Sequence, residues 1–206
     1  MLVYSPLIQK LKKIIEKLPS EHVTLIEVRD LIGQEGLIPF VLLLSLIFII
    51  PISIPGMGAI CGLVILSIGV SLFFDYPLWL PKSVRNKLIS TKALSVVLEH
   101  SFIWLNYLVR INHPYRLNWL VAKKFLYKIH SLALILGAIL LILPFGFIPL
   151  SNTLPGLALF FLAAGLLQYD GIFILLGYLI DIITIIYFTV FIVIGKKMFY
   201  EAIQYF

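Results

Sequence analysis

The sequence predicts an all-α integral membrane protein: two repeated helical hairpins, each broken by proline and glycine, and a C-terminal transmembrane helix. Composition is the first reason. Of the 206 residues, 61% are hydrophobic and 13% charged, with a mean hydropathy of +1.07. Soluble domains average about 45–50% apolar and about 25% charged. The second reason is an internal match between Phe40–Asp75 and Ser131–Asp170. Pro51 aligns with Pro144, Pro55 with Pro149, Gly62 with Gly156, Gly69 with Gly165 and Asp75 with Asp170, at separations of 93 to 96 residues. A Pro/Gly-interrupted apolar segment present in two copies is a pointer to membrane transport architecture.

Residues 1–36 form an N-terminal amphipathic, cytoplasmic segment. Leu7, Ile8, Leu11, Ile14, Ile15 and Leu18 recur at helical spacing, with Lys10, Lys12, Lys13 and Lys17 between them. Such a helix suits an anionic membrane surface or the protein's own flank. Pro19 ends it, and Thr24 with Glu27 then reads as a capping box. Gly33 or Gly36 closes that second helix. This polar lead does not resemble a cleaved signal peptide, so the first membrane segment is expected to be retained.

Residues 37–80 hold the first hairpin. Leu37–Ile50 is 14 residues, about 21 Å of helix, short for a hydrocarbon core of about 30 Å. Arms of this length fit either a re-entrant hairpin or two short spans. Prolines and glycines at the bend leave backbone groups without helical partners, which lipid tolerates only against protein or a wet cavity. Both tips are therefore expected to point to a shared interior.

Residues 81–130 form a basic connector. Between Pro81 and Lys128 nine Lys and Arg residues face the single acid Glu99, an imbalance that marks the cytoplasmic side and favours anionic headgroups. Ala93–Val109 is read as an interfacial helix, since adjacent Glu99 and His100 are costly at mid-membrane. Residues 131–206 contain the second hairpin and the run Gly171–Ile194, which is 24 residues long, enough to cross with tilt. Lys196 and Lys197 are expected to stop that helix. Hairpins re-entering from one side carry these lysines outside; inverted repeats require Ala93–Val109 to cross.

Several residues could carry chemistry. Ser53, Gly56 and Gly58 in one tip face Ser151, Asn152 and Thr153 in the other, as a substrate site near mid-membrane or as ordinary turn residues. Asp75 and Asp170 end the hairpins as paired carboxylates or as interface acids. Asp181 lies about 10 residues into the long helix, where an unpaired charge is unfavourable by several kcal/mol. It should be protonated or paired, with His130 or a basic residue as partner. Arg110 and Arg116 could grip a lipid-linked phosphate, or simply set topology. His22, His100, His113 and His130 are scattered and Cys61 is alone, so no metal site, disulfide, cofactor or catalytic constellation is expected. The basic residues flank apolar segments, so the net charge of +6 points to membrane lipid rather than nucleic acid. A homodimer is a reasonable assembly for so small a bundle.

The order of these features resembles the ExoD family of bacterial exopolysaccharide-synthesis membrane proteins. The likeness begins at His22-Val23-Thr24-Leu25 with Gly33-Gln34-Glu35-Gly36, and continues through the bend Ile50–Gly62 and the exit Pro77-Leu78-Trp79-Leu80-Pro81. Tyr115-Arg116-Leu117-Asn118-Trp119-Leu120 and the second hairpin Leu143–Gly171, ending Gln168-Tyr169-Asp170-Gly171, complete it. Asn112-His113-Pro114-Tyr115-Arg116 departs from the more basic run of the family. The resemblance implies a multi-pass protein of the inner membrane that takes part in exopolysaccharide production and leaves its molecular activity open; it is the missing catalytic constellation that argues against an enzyme. Combined with the repeat, it suggests transport of a polar or lipid-linked species between the hairpin tips. A non-transporting scaffold of a synthesis complex is the alternative.

Overall fold

The structure, a computed structural model, describes residues 22–33, 35–49, 56–78, 88–92, 96, 117, 119–122, 124–145 and 148–204. The N-terminal lysine-rich segment and most of Ala93–Val109 lie outside them, as do Ser53, Arg110 and Arg116.

Helix α1 (Leu25–Ile32) starts as the sequence predicts. The Thr24 hydroxyl accepts from the Glu27 amide at 3.4 Å, and the Glu27 carboxylate accepts from the Thr24 amide at 3.0 Å. Gly33 closes it at φ +66°, donating its N–H to the Arg29 carbonyl. The preceding strand β1 (His22–Thr24) pairs antiparallel with β2 (Leu88–Ser90), His22 opposite Ser90. This ribbon was not expected from the sequence, because three residues are too few to show a period of two.

A 3-10 turn (Glu35–Leu37) leads into α2 (Ile38–Ile49) and then α3 (Met57–Phe74). After the connector come α4 (Trp119–Ala122), α5 (Lys124–Ile142), α6 (Thr153–Gln168) and α7 (Gly171–Gln204). Three stretches are long and apolar enough to cross a membrane: Met57–Phe74, Phe125–Ile142 and Gly171–Lys197. α2 and α6 are apolar but shorter. α2 carries Ser45 as its one polar side chain and α6 keeps Thr153 and Gln168 at its two ends, so neither presents a polar face to water.

α6 is the centre of the bundle. Twelve of its 16 residues are buried, and α2, α5 and α7 all pack on it, while α3 lies chiefly on α5. α3 and α5 run antiparallel. Gly58 of α3 sits beside Leu141 of α5, Gly62 beside Ala138 and Ile142, and Gly69 beside Ile135. The start of α3, the end of α5 and the start of α6 therefore lie at one end of the bundle, the end where the sequence reading puts the tips. The other end, here the base, holds the start of α5, the ends of α3 and α6, and α1, where Arg29 donates to the Leu78 carbonyl at 3.3 Å.

α7 leaves the base and packs along α6, with Gly177 against Leu162. It reaches the tips at Tyr187, whose hydroxyl donates to the Pro149 carbonyl at 2.8 Å. Phe188 meets Phe145 edge to face there, at 4.9 Å between centroids. The helix continues past Lys196 and Lys197 to Gln204, contrary to the expectation that those lysines stop it. Lysine is a good helix former, and it marks the edge of the apolar segment without ending the helix.

Close approach at glycine yields a stability prediction. A methyl at Gly165 would lie 2.9 Å from the Ile174 backbone nitrogen and 3.0 Å from the Asp170 carbonyl oxygen, whereas nothing lies within 4 Å at Gly195. Backbone atoms cannot rotate aside, so Gly165→Ala should cost about 1–3 kcal/mol. Gly195→Ala should be neutral or gain up to about 1 kcal/mol. Unfolding of the detergent-solubilised protein measures both.

Candidate functional site at the α5–α6–α7 junction

Tyr178, Asp181 and Thr184 follow one another at three-residue spacing, which places them on one face of α7. Asp181 and Thr184 are buried on that face, and Tyr178 is half-buried. The neighbouring surfaces of α5 and α6 supply aliphatic side chains and His130. Each polar group has had to find a local solution, because an unpaired polar group inside an apolar medium is costly.

Thr184 turns its hydroxyl back to the Ile180 carbonyl of its own helix, at 2.7 Å. His130, only 1% exposed, is held at both ring nitrogens. Nε2 lies 2.9 Å from the Leu120 carbonyl of α4, and Nδ1 lies 2.5 Å from the Tyr178 hydroxyl. A carbonyl can only accept, so Nε2 carries the hydrogen. In the neutral ring Nδ1 is then the acceptor from the Tyr178 O–H. One imidazole thus ties α4, α5 and α7 together.

Asp181 has no such solution. It is 2% exposed, and neither carboxyl oxygen has a hydrogen-bond partner. The expected pairing with His130 is not made, since Tyr178 occupies the imidazole. The carboxyl rests against α5 where Gly137 has no side chain: a Cβ there would come within 3.2 Å of Oδ1 and 3.0 Å of Leu159. Gln168, at the base end of α6, is also buried with its amide oxygen and nitrogen unpartnered.

Asp170 is fully buried and accepts from the Ile172 amide at 2.9 Å, so it caps the start of α7. Asp75 is exposed and adopts a left-handed conformation at the end of α3. The two acids expected to match occupy different environments. Tyr169, not Asp170, closes α6 in the conformation that Asp75 adopts. A residue-by-residue match favours identical letters, and here it slipped by one position.

At the tips, Gly56 enters α3 with φ +82°. Asn152 precedes α6, makes no capping bond with its side chain, and directs Oδ1 toward Gly58, within 3.0 Å of where a Cβ would stand. The start of α3 and the start of α6 are therefore in contact through Gly58 and Asn152. Ser151 is buried beside them and Thr153 is half-buried. Two open pockets lie at the base. One is lined by Arg29, Asp30, Gly33, Leu37, Pro77 and Leu78, the other by α3 from Leu66 to Phe74 with Tyr76 and Pro77. In the first, Arg29 is already paired with Asp30 at 2.7 Å. Among the described residues, no three His, Cys, Asp or Glu side chains gather as a metal site.

The family profile described as "Exopolysaccharide synthesis, ExoD" matches residues 7–190. The chain belongs to the ExoD family. Protein ExoD of Rhizobium meliloti is 35% identical over 176 residues, which cover 85% of this chain and 73% of that protein. A Synechocystis protein described as uncharacterized is 34% identical over 145 residues, 68% of this chain and 66% of its own. No solved structure matches. With its apolar helices, ExoD membership makes this a multi-pass inner-membrane protein of exopolysaccharide synthesis.

The ExoD likeness alone does not single out His130 and Tyr178. The signal available in the sequence was a lone histidine in the first apolar arm of the second hairpin. Tyr178→Phe leaves the buried His130 Nδ1 without its donor and should cost about 1–3 kcal/mol. Asp181→Asn breaks no existing bond and should change stability by less than about 1 kcal/mol. Thermal unfolding of both variants in the same detergent separates them.

Proposed function

We propose that this ExoD-family protein is transporter-like, moving a polar or lipid-linked species of exopolysaccharide synthesis through a cavity between the two hairpin tips. The observation that carries this reading is the level at which the tips meet. They contact α7 at Tyr187 and Phe188, and Val190, Phe191, Ile192, Val193 and Ile194 follow, all exposed and apolar. Lys196 lies eight residues past Phe188, about 12 Å further along the helix. The tips therefore stop within the apolar length of α7, which favours re-entrant hairpins over hairpins that emerge on the far side. Irregular backbone at such depth is stable only where protein or water shelters it.

Reciprocal packing supports the duplicated architecture. Gly62 of the first hairpin packs on Ile142 of the second, and Gly156 of the second packs on Phe48 of the first. Both members of each pair are related by the same 94-residue offset. The helix ends repeat it: the amides of Asp75 and Tyr76 close on Ser71, and those of Tyr169 and Asp170 on Gly165. Asn152 and Thr153, with Gly56 and Ser53, would line the passage. Asp170 secures the base of α7, and Asp181 stands at the level between base and tips. Arg110 and Arg116 of the connector are assigned to anionic headgroups or a lipid-linked phosphate.

The test is polysaccharide output from cells carrying Asn152→Leu or Asp181→Asn, with membrane insertion checked. Output should fall at least tenfold in each. Undiminished output in both variants would remove the passage and leave the scaffolding alternative.

A further inference from the structure

We propose that Asp181 is a proton-binding carboxyl, loaded and emptied through Tyr178 and His130 from the base of the bundle. The proposal deepens the transport reading by naming the coupling ion and rests on that reading for its purpose, but its chemistry stands on the geometry alone.

The first observation is an acidic side chain that is 2% exposed with two unpartnered oxygens. Such a group calls for a ligand. A hard metal cation requires about six oxygen ligands, and among the described residues no three His, Cys, Asp or Glu side chains gather around this carboxyl, which rests against Gly137. A proton needs only the one carboxyl. As a neutral acid Asp181 fits this apolar niche, whereas as an anion it would stand without a counter-charge. Of the titratable groups on the helices packed around it, Tyr178 of α7 lies in its field, α5 carries His130 and the buried hydroxyl of Tyr127, Asp170 sits eleven residues back at the start of α7, and α6 has none.

The second, independent observation is the bonded pair beside it. The Tyr178 O–H donates to His130 Nδ1, and His130 Nε2–H donates to Leu120 of α4 at the base. Tyr178 lies three residues before Asp181 on the same face of α7. In this structure the carboxyl rests against Gly137, so transfer requires it to turn to the Tyr178 hydroxyl. From there the steps balance. The Asp181 proton passes to the Tyr178 oxygen while the Tyr178 proton passes to Nδ1, leaving a carboxylate, an intact phenol and an imidazolium. Release of the Nε2 proton to water at the base then requires the 2.9 Å bond to the Leu120 carbonyl to open, since His130 is 1% exposed. Uptake is the reverse. Gly137 and Tyr178 thereby define two stations for one carboxyl, one enclosed and one connected.

Infrared spectroscopy of the wild-type protein in lipid vesicles tests this directly. At pH 7 a carboxylic-acid C=O band should be present, absent in Asp181→Asn and retained in Asp170→Asn. On transfer to D2O the band should shift as the acid exchanges, and Tyr178→Phe should slow that shift at least tenfold. No acid band in the wild type, or a band that never exchanges, overturns the proposal without reliance on any variant. Exchange at the wild-type rate in Tyr178→Phe overturns the route. If the band and its exchange are as described but both Asp181→Asn and Asn152→Leu leave polysaccharide output unchanged, the proton site stands and the transport reading fails.

Discussion

Enclosure of α6 is the constraint on which the rest of the structure depends. A 16-residue helix is about 24 Å long, short of a hydrocarbon core of about 30 Å, so the irregular backbone at its ends needs protein or water around it. Twelve of its positions are buried, and α2, α5 and α7 surround it. Its small residues make this feasible. Ala158, Ala163 and Ala164 are fully buried, and Gly156 and Gly165 let neighbouring helices approach to backbone contact. In lipid, helix association relies on such close packing because apolar burial supplies no driving force there. Once α6 is enclosed, the tips that flank it are drawn to one end, and the inward face of α7 is committed to protein.

That commitment explains the polar chemistry. A side chain on the inward face of α7 can reach neither water nor headgroups, so each must be satisfied locally or serve another purpose. Thr184 is satisfied by its own helix, and Tyr178 by His130. Asp181 is not, and Gln168 at the end of α6 is likewise unpartnered. A stability-driven sequence would fill these positions with aliphatic residues, since buried polar groups without partners are among the larger sources of destabilisation. Their presence is accounted for most simply by function, and Asp181 is the better placed because it lies deeper along α7.

Much of the fold was legible in the sequence, for definite reasons. Uninterrupted apolar runs announced α3, α5 and α7, and Thr24 with Glu27 announced α1, because both signals are local. The β1–β2 ribbon was not foreseen, because its pairing joins segments more than sixty residues apart with no local signature. The partner of His130 was also missed. Electrostatic reasoning offered His130 as one partner for Asp181, or a protonated acid without one, whereas Tyr178 occupies the ring. Lys196 and Lys197 misled for a simpler reason, since a change of solvent is not a helix stop.

The depth of the tips is the quantity from which the passage and the proton site both draw their meaning. Nitroxide labels at Asn152→Cys and at Lys196→Cys, each on a Cys61→Ser background in lipid vesicles, measure it through relaxation by dissolved oxygen and by a water-soluble metal chelate. The account predicts that the position 152 label sits about 12 Å deeper than the position 196 label, given 1.5 Å per helical residue, while remaining within reach of the aqueous agent. Labels at equal depth, both at the headgroups, would contradict it.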